Sequence, residues 1–350
     1  MSRSVDVGII CPAFNVRPYV DAFFSCLESQ TYQGFRVIVI DDCSVDDSFD
    51  RLLERGRSLG DRCIVLRNSK NLGPGPTRNV GLDKLCEEPT KYVTFLDIDD
   101  WFEPNYLQDL HDAAETFGSD LTVSGIVRYE DGTNKVLSTE MVNYTSELLP
   151  DSSLVDDLAF INTCLYAKLY RFEAVSTVRF RAMKRSEDTC WLFESLPGLH
   201  SIKFTNHALY HYRVGADSLS SALGEDKYED MHREFAKHLR LFDDGPHAPY
   251  REMFECQVFI RSSLGGVTRV SFTDMRRALS LSVNERRWLD STMPSWRKNR
   301  YLRLFGGRKS QGAKQLAMKV TATMYKANVF IVFIFIYYLV SNVLKKEVRA

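Results

Sequence analysis

Residues 92–100, YVTFLDIDD, set the tightest constraint on what this chain can fold into. A run of β-branched and aromatic residues, Tyr92 to Leu96, reads as a buried strand, and three carboxylates follow it directly. The end of a buried strand does not hold Asp97, Asp99 and Asp100 unless something positive meets them. Alternate residues of a strand share a face, so the spacing predicts that Asp97 and Asp99 point the same way. Two such carboxylates suit a hard divalent cation, which takes oxygen ligands and shares them with substrate phosphates. The bland alternative is a solvated turn in which Asp100 caps a helix starting near Pro104.

The chain around this stretch alternates strand and helix patterns. Residues 5–10 (VDVGII) predict a first strand, followed by 11–15 (CPAFN) and then apolar residues at helical spacing: Tyr19, Val20, Phe23, Phe24 and Leu27. Residues 35–40 (FRVIVI) predict a second strand ending at Asp41 and Asp42, with a helix from about Asp46. A third strand spans Cys63 to Leu66, a Gly/Pro-rich loop Asn68 to Pro76, and a helix Thr77 to Cys86. This order implies an α/β fold with a parallel sheet, and ligands of such sheets bind beyond the carboxyl ends of the strands. Past residue 125 the pattern is irregular. Residues 164–172 read as a strand or a helix start, 186–196 as a helix with Ser186 at its N-cap, 207–213 as a strand, and the chain from about Glu225 as helical.

The net charge of −1 excludes a generally basic nucleic-acid binder but hides an asymmetry. From Ser291 to Lys346 there is no Asp or Glu, while Arg297, Lys298, Arg300, Arg303, Arg308, Lys309, Lys314, Lys319 and Lys326 fall there. An anionic membrane surface is the partner such a segment expects. The unbroken apolar run Val329 to Val340 follows it. A helix over 327–344 measures about 27 Å, just short of a ~30 Å hydrocarbon core, so membrane attachment is expected and a buried core helix is the alternative. The N-terminus enters a strand pattern without a signal-peptide run. The eight cysteines form no Cys-x-x-Cys pair and read as reduced, mostly buried residues of a cytosolic protein. The expected organisation is a catalytic domain over 1–222, a helical extension over 223–290, and a basic, apolar attachment segment over 291–350.

Three features need one explanation: acidic strand tips at 41–42 and 97–100, the Asn/Gly/Arg loop at 71–81, and the pair Glu187 and Asp188 at a helix start. A nucleotide diphosphate with a divalent metal accounts for all three. The metal bridges Asp99 to the diphosphate, an acid of the 41–42 pair accepts from a base N–H or a ribose hydroxyl, and Arg78 or backbone N–H groups near Gly73 and Gly75 offset phosphate charge. The segment 73–78 (GPGPTR) lacks the third glycine of a dinucleotide fingerprint, and there is no Gly-Lys-Ser/Thr phosphate loop. Plainer readings stand beside these: Asp42 as a cap of the helix near Ser44, Glu187 and Asp188 as ordinary first-turn acids, Arg78, Lys168 and Arg171 as solvated charges, and His211 as a structural histidine.

On the motifs CPAFN (11–15), IDDCS (40–44), NLG (71–73), TRNVG (77–81), FLDIDD (95–100), AKLYR (167–171), EDT (187–189) and YHYR (210–213) with Ser218 and Ser220, the chain resembles a family 2 glycosyltransferase of the bacterial cell-surface polysaccharide type. The resemblance covers about residues 4–220. It implies a GT-A fold, Rossmann-like, with a mostly parallel central sheet flanked by helices and here a C-terminal helical extension. It also implies a nucleotide-sugar donor, most often a UDP-sugar, and a Mg2+ or Mn2+ ion. Carried over by position, Pro12, Phe14, Asn15, Asp42, Asn71, Gly73, Arg78 and Asp97 bind the donor. Asp42 takes the base, Asp97 the ribose and donor sugar, and Asp99 the metal. Asp188 is the catalytic base, with Glu187 as the alternative. Lys168 and Arg171 are conceivable diphosphate or acceptor contacts. Cys43 departs from the family's common glycine.

The expected reaction is an inverting transfer from that donor to a hydroxyl of a lipid-linked or growing cell-surface glycan, at the cytoplasmic face of the membrane. A hydroxyl has a high pKa, so a carboxylate must take its proton as attack proceeds. The alternatives are a nucleotidyltransferase on a similar α/β scaffold, which would need a basic gripping loop where this chain has Pro12 and Phe14, and an inactive membrane-bound nucleotide-sugar sensor.

Overall fold

The structure is a computed structural model and describes residues 5–133, 135–141, 147–148, 158–215, 225–264, 275–304, 313–330 and 332. The chain forms two units, one of Met1–Asp151 with Asn162–Ala216, the other of Ser152–Ile161 with Asp217–Ala350.

In the first unit the strand–helix alternation appears as β1 (Val7–Ala13), α1 (Val20–Glu28), β2 (Phe35–Asp41), α2 (Ser48–Gly56), β3 (Cys63–Arg67), α3 (Pro74–Glu87) and β4 (Tyr92–Phe95). Next come β5 (Trp101–Phe102), α4 (Tyr106–Phe117), β6 (Leu121–Glu130), β7 (Val136–Glu140), β8 (Glu147–Leu148) and β9 (Lys168–Arg171). The one-turn α5 (Phe172–Val175), α6 (Glu187–Ser195) and β10 (Ile202–Val214) complete the unit. One sheet runs β3-β2-β1-β4-β9-β6-β10-β5, with β7 on β6 and β8 on β10.

The α/β class holds, and the sheet is parallel where the alternation predicted it: β1 with β2 and β4, and β2 with β3. Beyond β4 it is mixed. β9 runs antiparallel to both β4 and β6, β6 is parallel to β10, and β5 is antiparallel to β10. The long strand β6 therefore runs from before residue 125 into the irregular stretch, and the ambiguous 164–172 segment resolves into a strand followed by a single helical turn. Strand order reverses at β1, whose neighbours are β2 and β4. That switch point opens a crevice beyond the carboxyl ends of the strands, where ligands of open α/β sheets bind.

The core forms because both faces of β1, β2 and β4 are apolar. Ile9, Val37, Val39 and Tyr92 pack with Val20, Phe23, Phe24 and Leu27 of α1. On α3, Gly81 permits close approach to the sheet, because a Cβ there would lie 2.5 Å from Ile10 Cγ2 and 2.9 Å from Ile40 Cδ1. β4 ends at Phe95, so Asp97, Asp99 and Asp100 lie on a turn and not on the strand itself. Strand alternation thus gives no account of how their side chains point.

The second unit contains α7 (Glu225–Leu239), α8 (Arg251–Phe259), α9 (Met275–Thr292) and α10 (Ala313–Lys326). Gln257 Nε2 donates to Ala159 O (2.9 Å) and Ile161 O (3.1 Å), which ties the 158–161 stretch to this unit. At its centre Glu285 is fully buried and accepts from Ser262 Oγ (2.6 Å), Ser263 Oγ (2.8 Å) and Tyr228 OH, with His232 Nε2 at 2.8 Å. Among the described residues no helix is long and apolar enough to cross a membrane. Most of the apolar run Val329 to Val340, together with Ser218 and Ser220 of the resemblance, lies outside the described residues.

Candidate active site

The loops after β1, β2 and β3 meet around Asp42. Its N–H donates to Ala13 O (2.7 Å), which joins the tips of β2 and β1. Its carboxylate is buried; Oδ1 accepts from Asn68 Nδ2 (2.8 Å) and Leu72 N (2.9 Å), and Oδ2 from Gly73 N (2.8 Å). Asp42 therefore organises the 68–73 loop and does not cap α2, which starts at Ser48 behind Asp47. Asn15 reaches across the crevice, its N–H on Ser44 Oγ (2.9 Å) and its Oδ1 accepting from Val45 N (3.0 Å). Phe14 leaves 45% of its surface exposed beside these loops, Pro12 is half-buried, and Asn71 is exposed. Asp41 points inward, paired with Arg67 Nε (3.2 Å) and accepting from Ser44 N (3.1 Å). Cys43 has φ +62°, a left-handed backbone that favours glycine, which explains why a glycine suits this position.

The acidic turn after β4 is held from β10, a strand more than a hundred residues on. Tyr210 OH accepts from Asp97 N (3.2 Å) and donates to Asp100 Oδ2 (2.8 Å). Arg213 donates from its backbone N–H to Asp100 Oδ1 (2.8 Å), from Nε to Asp99 O (2.8 Å) and from Nη1 to Asp131 Oδ1 (2.9 Å). Asp100 is thus an internal fastener and not a helix cap; α4 begins behind Asn105. Burial, then the charges of Asp99 and Asp97, push the Asp100 carboxyl well above the carboxylate range. Burial and the charge of Asp97 push Asp99 up to about 6. A carboxyl so destabilised as an anion fits a cation, which would relieve both burdens. Among the described residues no group of three or more His, Cys, Asp or Glu could hold a metal alone. An ion at Asp99 would therefore complete its shell from water or a phosphate-bearing ligand, as magnesium commonly does.

Arg78 joins this turn to the distant acidic pair. It is buried on α3, with Nη2 on Asp97 Oδ1 (3.0 Å) and Nη1 on Glu187 Oε1 (2.9 Å). Burial works against its charge, and Asp97, Glu187 and Asp188 more than offset that. Gly75 lets α3 approach, since a Cβ there would lie 2.8 Å from Arg181 O and 3.3 Å from Glu187 Cγ. Arg78 is therefore no surface charge, and two of its donors are engaged by carboxylates. Burial, with the charge of Asp188, raises the Glu187 carboxyl against the pull of Arg78. Asp188 is half-buried, and its Oδ1 accepts from Thr189 N (2.7 Å) and Thr189 Oγ1 (3.3 Å). Its Oδ2 makes no hydrogen bond among the described residues. Ser186 occupies the N-cap position of α6 at φ +64° and makes no capping bond through its side chain.

The reading of Lys168 changes, while His211 keeps its structural reading and the cysteines form no disulfide. Lys168 is not a solvated charge or a diphosphate contact; it is fully buried, with Nζ on Asn162 O (2.7 Å) and Cys164 O (2.5 Å). Arg171 braces Asp120 (2.8 Å) and Gly118 O (3.2 Å). His211 is buried, with Nε2 2.8 Å from Glu103 Oε1, and burial pulls its pKa below the ordinary value. The eight cysteines are all free, four of them buried and Cys86 exposed. Asn68, Tyr210 and Arg213 received no role from the sequence. The only signal for the last two was their place in YHYR, and for Asn68 its position at the end of β3.

Residues 8–179 match the model of glycosyl transferase family 2, a span that stops short of Glu187. The glycosyltransferase GlyA of Streptococcus pneumoniae is 24% identical over 71% of this chain. The poly(ribitol-phosphate) beta-N-acetylglucosaminyltransferase TarS of Staphylococcus aureus is 25% identical over 64% of it. The chain spans 37% of the length of GlyA and 39% of that of TarS. The crystal structure of TarS residues 1–349 in complex with UDP-GlcNAc superposes with a TM-score of 0.67 at 18% identity, covering 98% of this chain and 93% of that one.

Proposed function

We propose that this chain, which belongs to glycosyl transferase family 2, moves a sugar from a nucleotide-diphosphate donor to a hydroxyl of a lipid-linked or growing cell-surface glycan, with inversion. The observation that carries the reading is the Arg78 bridge. It joins Asp97, beside the metal-type carboxylate Asp99, to the helix start that bears Asp188. One carboxylate for a cation and a separate one for a proton are what a displacement at an anomeric carbon requires.

The hydrogen-bond inventory at Asp42 supports a uridine donor. A carboxylate offers about four lone-pair sites. Asn68, Leu72 and Gly73 take three of them, which leaves one on Oδ2. Uracil presents a single ring N–H between two carbonyls, whereas the same edge of guanine presents an N–H and an amino group together. Phe14, exposed beside this acceptor, offers a ring face for stacking. The comparison with a TarS structure holding UDP-GlcNAc agrees with this choice.

In the reaction the acceptor oxygen attacks the anomeric carbon opposite the diphosphate. The new C–O bond forms as the bond to the phosphate oxygen breaks, and the proton passes to Asp188 Oδ2. Asp188 Oδ1, fixed by Thr189, keeps the carboxylate oriented through the transfer. Glu187 is committed to Arg78, which favours Asp188 as the base. Asp99 would hold Mg2+ or Mn2+, which neutralises charge on the leaving diphosphate when bound. Tyr210 and Arg213 keep the turn in place for that ion.

The test is a panel of UDP- and GDP-sugars assayed for metal-dependent hydrolysis or transfer. A UDP-sugar is expected to turn over, chelation is expected to abolish it, and Asp99→Ala is expected to lose it. Turnover undiminished in Asp99→Ala would contradict the reading.

A further inference from the structure

The buried Lys168 has no part in the chemistry above, yet its surroundings lead to Asp188. Its ammonium holds the carbonyls of Asn162 and Cys164, the two residues that flank Thr163. The same loop is fastened a second time: Asn162 Nδ2 donates to Glu140 Oε2 (2.6 Å), and Arg128 Nε donates to Glu140 Oε1 (2.8 Å). Asn162 Oδ1 also accepts from Cys164 N (3.0 Å). Thr163 is fully buried between these anchors, and its hydroxyl lies 2.7 Å from that of Thr189, itself fully buried on α6. Thr189 in turn holds Asp188 Oδ1 through its N–H and its hydroxyl. The order of donation is consistent along the chain, because a Thr189 hydroxyl that donates to Asp188 can accept from Thr163.

We propose that Thr163, held in place by Lys168, is a positioning residue that orients the Asp188 carboxylate through the Thr189 hydroxyl, with Oδ2 turned to the acceptor. This rests on the assignment of Asp188 as the base. A free carboxylate at a helix start rotates about its terminal torsion. Fixing one oxygen from a buried platform removes that freedom, and a base must lie within hydrogen-bond reach of the proton it takes. The arrangement also accounts for a lysine on a buried strand, where an ammonium is otherwise costly. Two elements distant in sequence, the 162–164 loop and α6, are thereby set in register by one hydroxyl pair. Asp188 is near enough to this loop for its charge to raise the Cys164 thiol, whose main shift comes from burial.

The experiment compares Thr163→Val and Thr163→Ser in the full chain, reading kcat, the KM for the nucleotide sugar and UDP affinity by calorimetry. Valine keeps the shape and removes the hydroxyl. The expected result is a fall in kcat on the order of tenfold for Thr163→Val, with donor KM and UDP affinity unchanged, and recovery in Thr163→Ser. Thr189→Val and Thr189→Ser read the same link from its other end, and they decide the matter should Thr163→Val fail to fold. An unchanged kcat in the valine variants, or an equal loss in the serine variants, overturns the positioning role. If Asp188→Ala keeps full turnover, the base assignment itself is wrong. If Asp188→Ala is inactive while Thr163→Val is fully active, the positioning alone is wrong.

Discussion

Arg78 makes the tightest demand at the scale of single residues. Its side chain is 8% exposed and faces two carboxylates that lie 19 and 109 residues away in sequence. Removing one partner from a buried ion pair leaves an uncompensated charge, which typically costs about 3–5 kcal/mol. Arg78→Met is therefore expected to lower the melting temperature of the first unit and to abolish turnover. Arg78→Met combined with Glu187→Gln is expected to recover part of the stability and none of the activity. A double-mutant cycle by thermal melting checks this, because residues in direct contact should not behave additively. The sequence marked Arg78 as interesting through its place in TRNVG, but could not say whether it faced phosphate, solvent or protein. The answer depends on Gly75, whose lack of a side chain lets α3 meet residue 181. Asp100 was misjudged for the same reason: its partners Tyr210 and Arg213 are 110 and 113 residues away, beyond any local pattern.

At the scale of elements, β1 to β4 and the intervening helices were legible because each has a local period and a polar turn after it. Of β10 (Ile202–Val214) the part 207–213 was legible as a strand; β6 was not, since it is buried from Leu121 to Val127, which removes the alternation that marks a half-exposed strand. The helices of the second unit were legible only as helical, and what holds them together was not. Glu285 on α9 gathers Ser262, Ser263, Tyr228 and His232 around one buried carboxylate. Burial raises its pKa, but His232 and the hydroxyls outweigh this and leave it below the ordinary glutamate value. A depressed carboxylate contributes stability above its unfolded pKa of about 4.3 and loses it as pH falls through the folded value. Glu285→Gln is expected to be less stable than wild type at pH 7 by about 1.5–3 kcal/mol, with the gap narrowing in acid below about pH 4. Urea unfolding at the two pH values reads this directly, and a gap that widened in acid would contradict it.

At the scale of the whole molecule, the asymmetry of charge has a physical counterpart. Leu316 and Val320 are exposed on α10, Val329 and Val332 are exposed beyond it, and no acidic residue occurs from Ser291 to Lys346. We propose that residues 291–350 hold the protein at the cytoplasmic face of the membrane, where apolar contact and attraction to anionic lipid act together. The full chain is expected to float with vesicles containing phosphatidylglycerol more than with purely zwitterionic ones. Salt is expected to weaken that binding, and removal of residues 327–350 to reduce it sharply; unchanged flotation of the truncated chain would refute the attachment.

The account turns on one oxygen, Asp188 Oδ2, as the proton acceptor, with Glu187 kept for Arg78. The most direct measurement compares Asp188→Ala with Glu187→Gln for turnover of the accepted UDP-sugar and for UDP binding. Asp188→Ala is expected to bind UDP as wild type does and to lose turnover by about a hundredfold or more. Glu187→Gln, which keeps a hydrogen-bond acceptor for Arg78, is expected to retain far more. Wild-type turnover in Asp188→Ala would contradict the central claim.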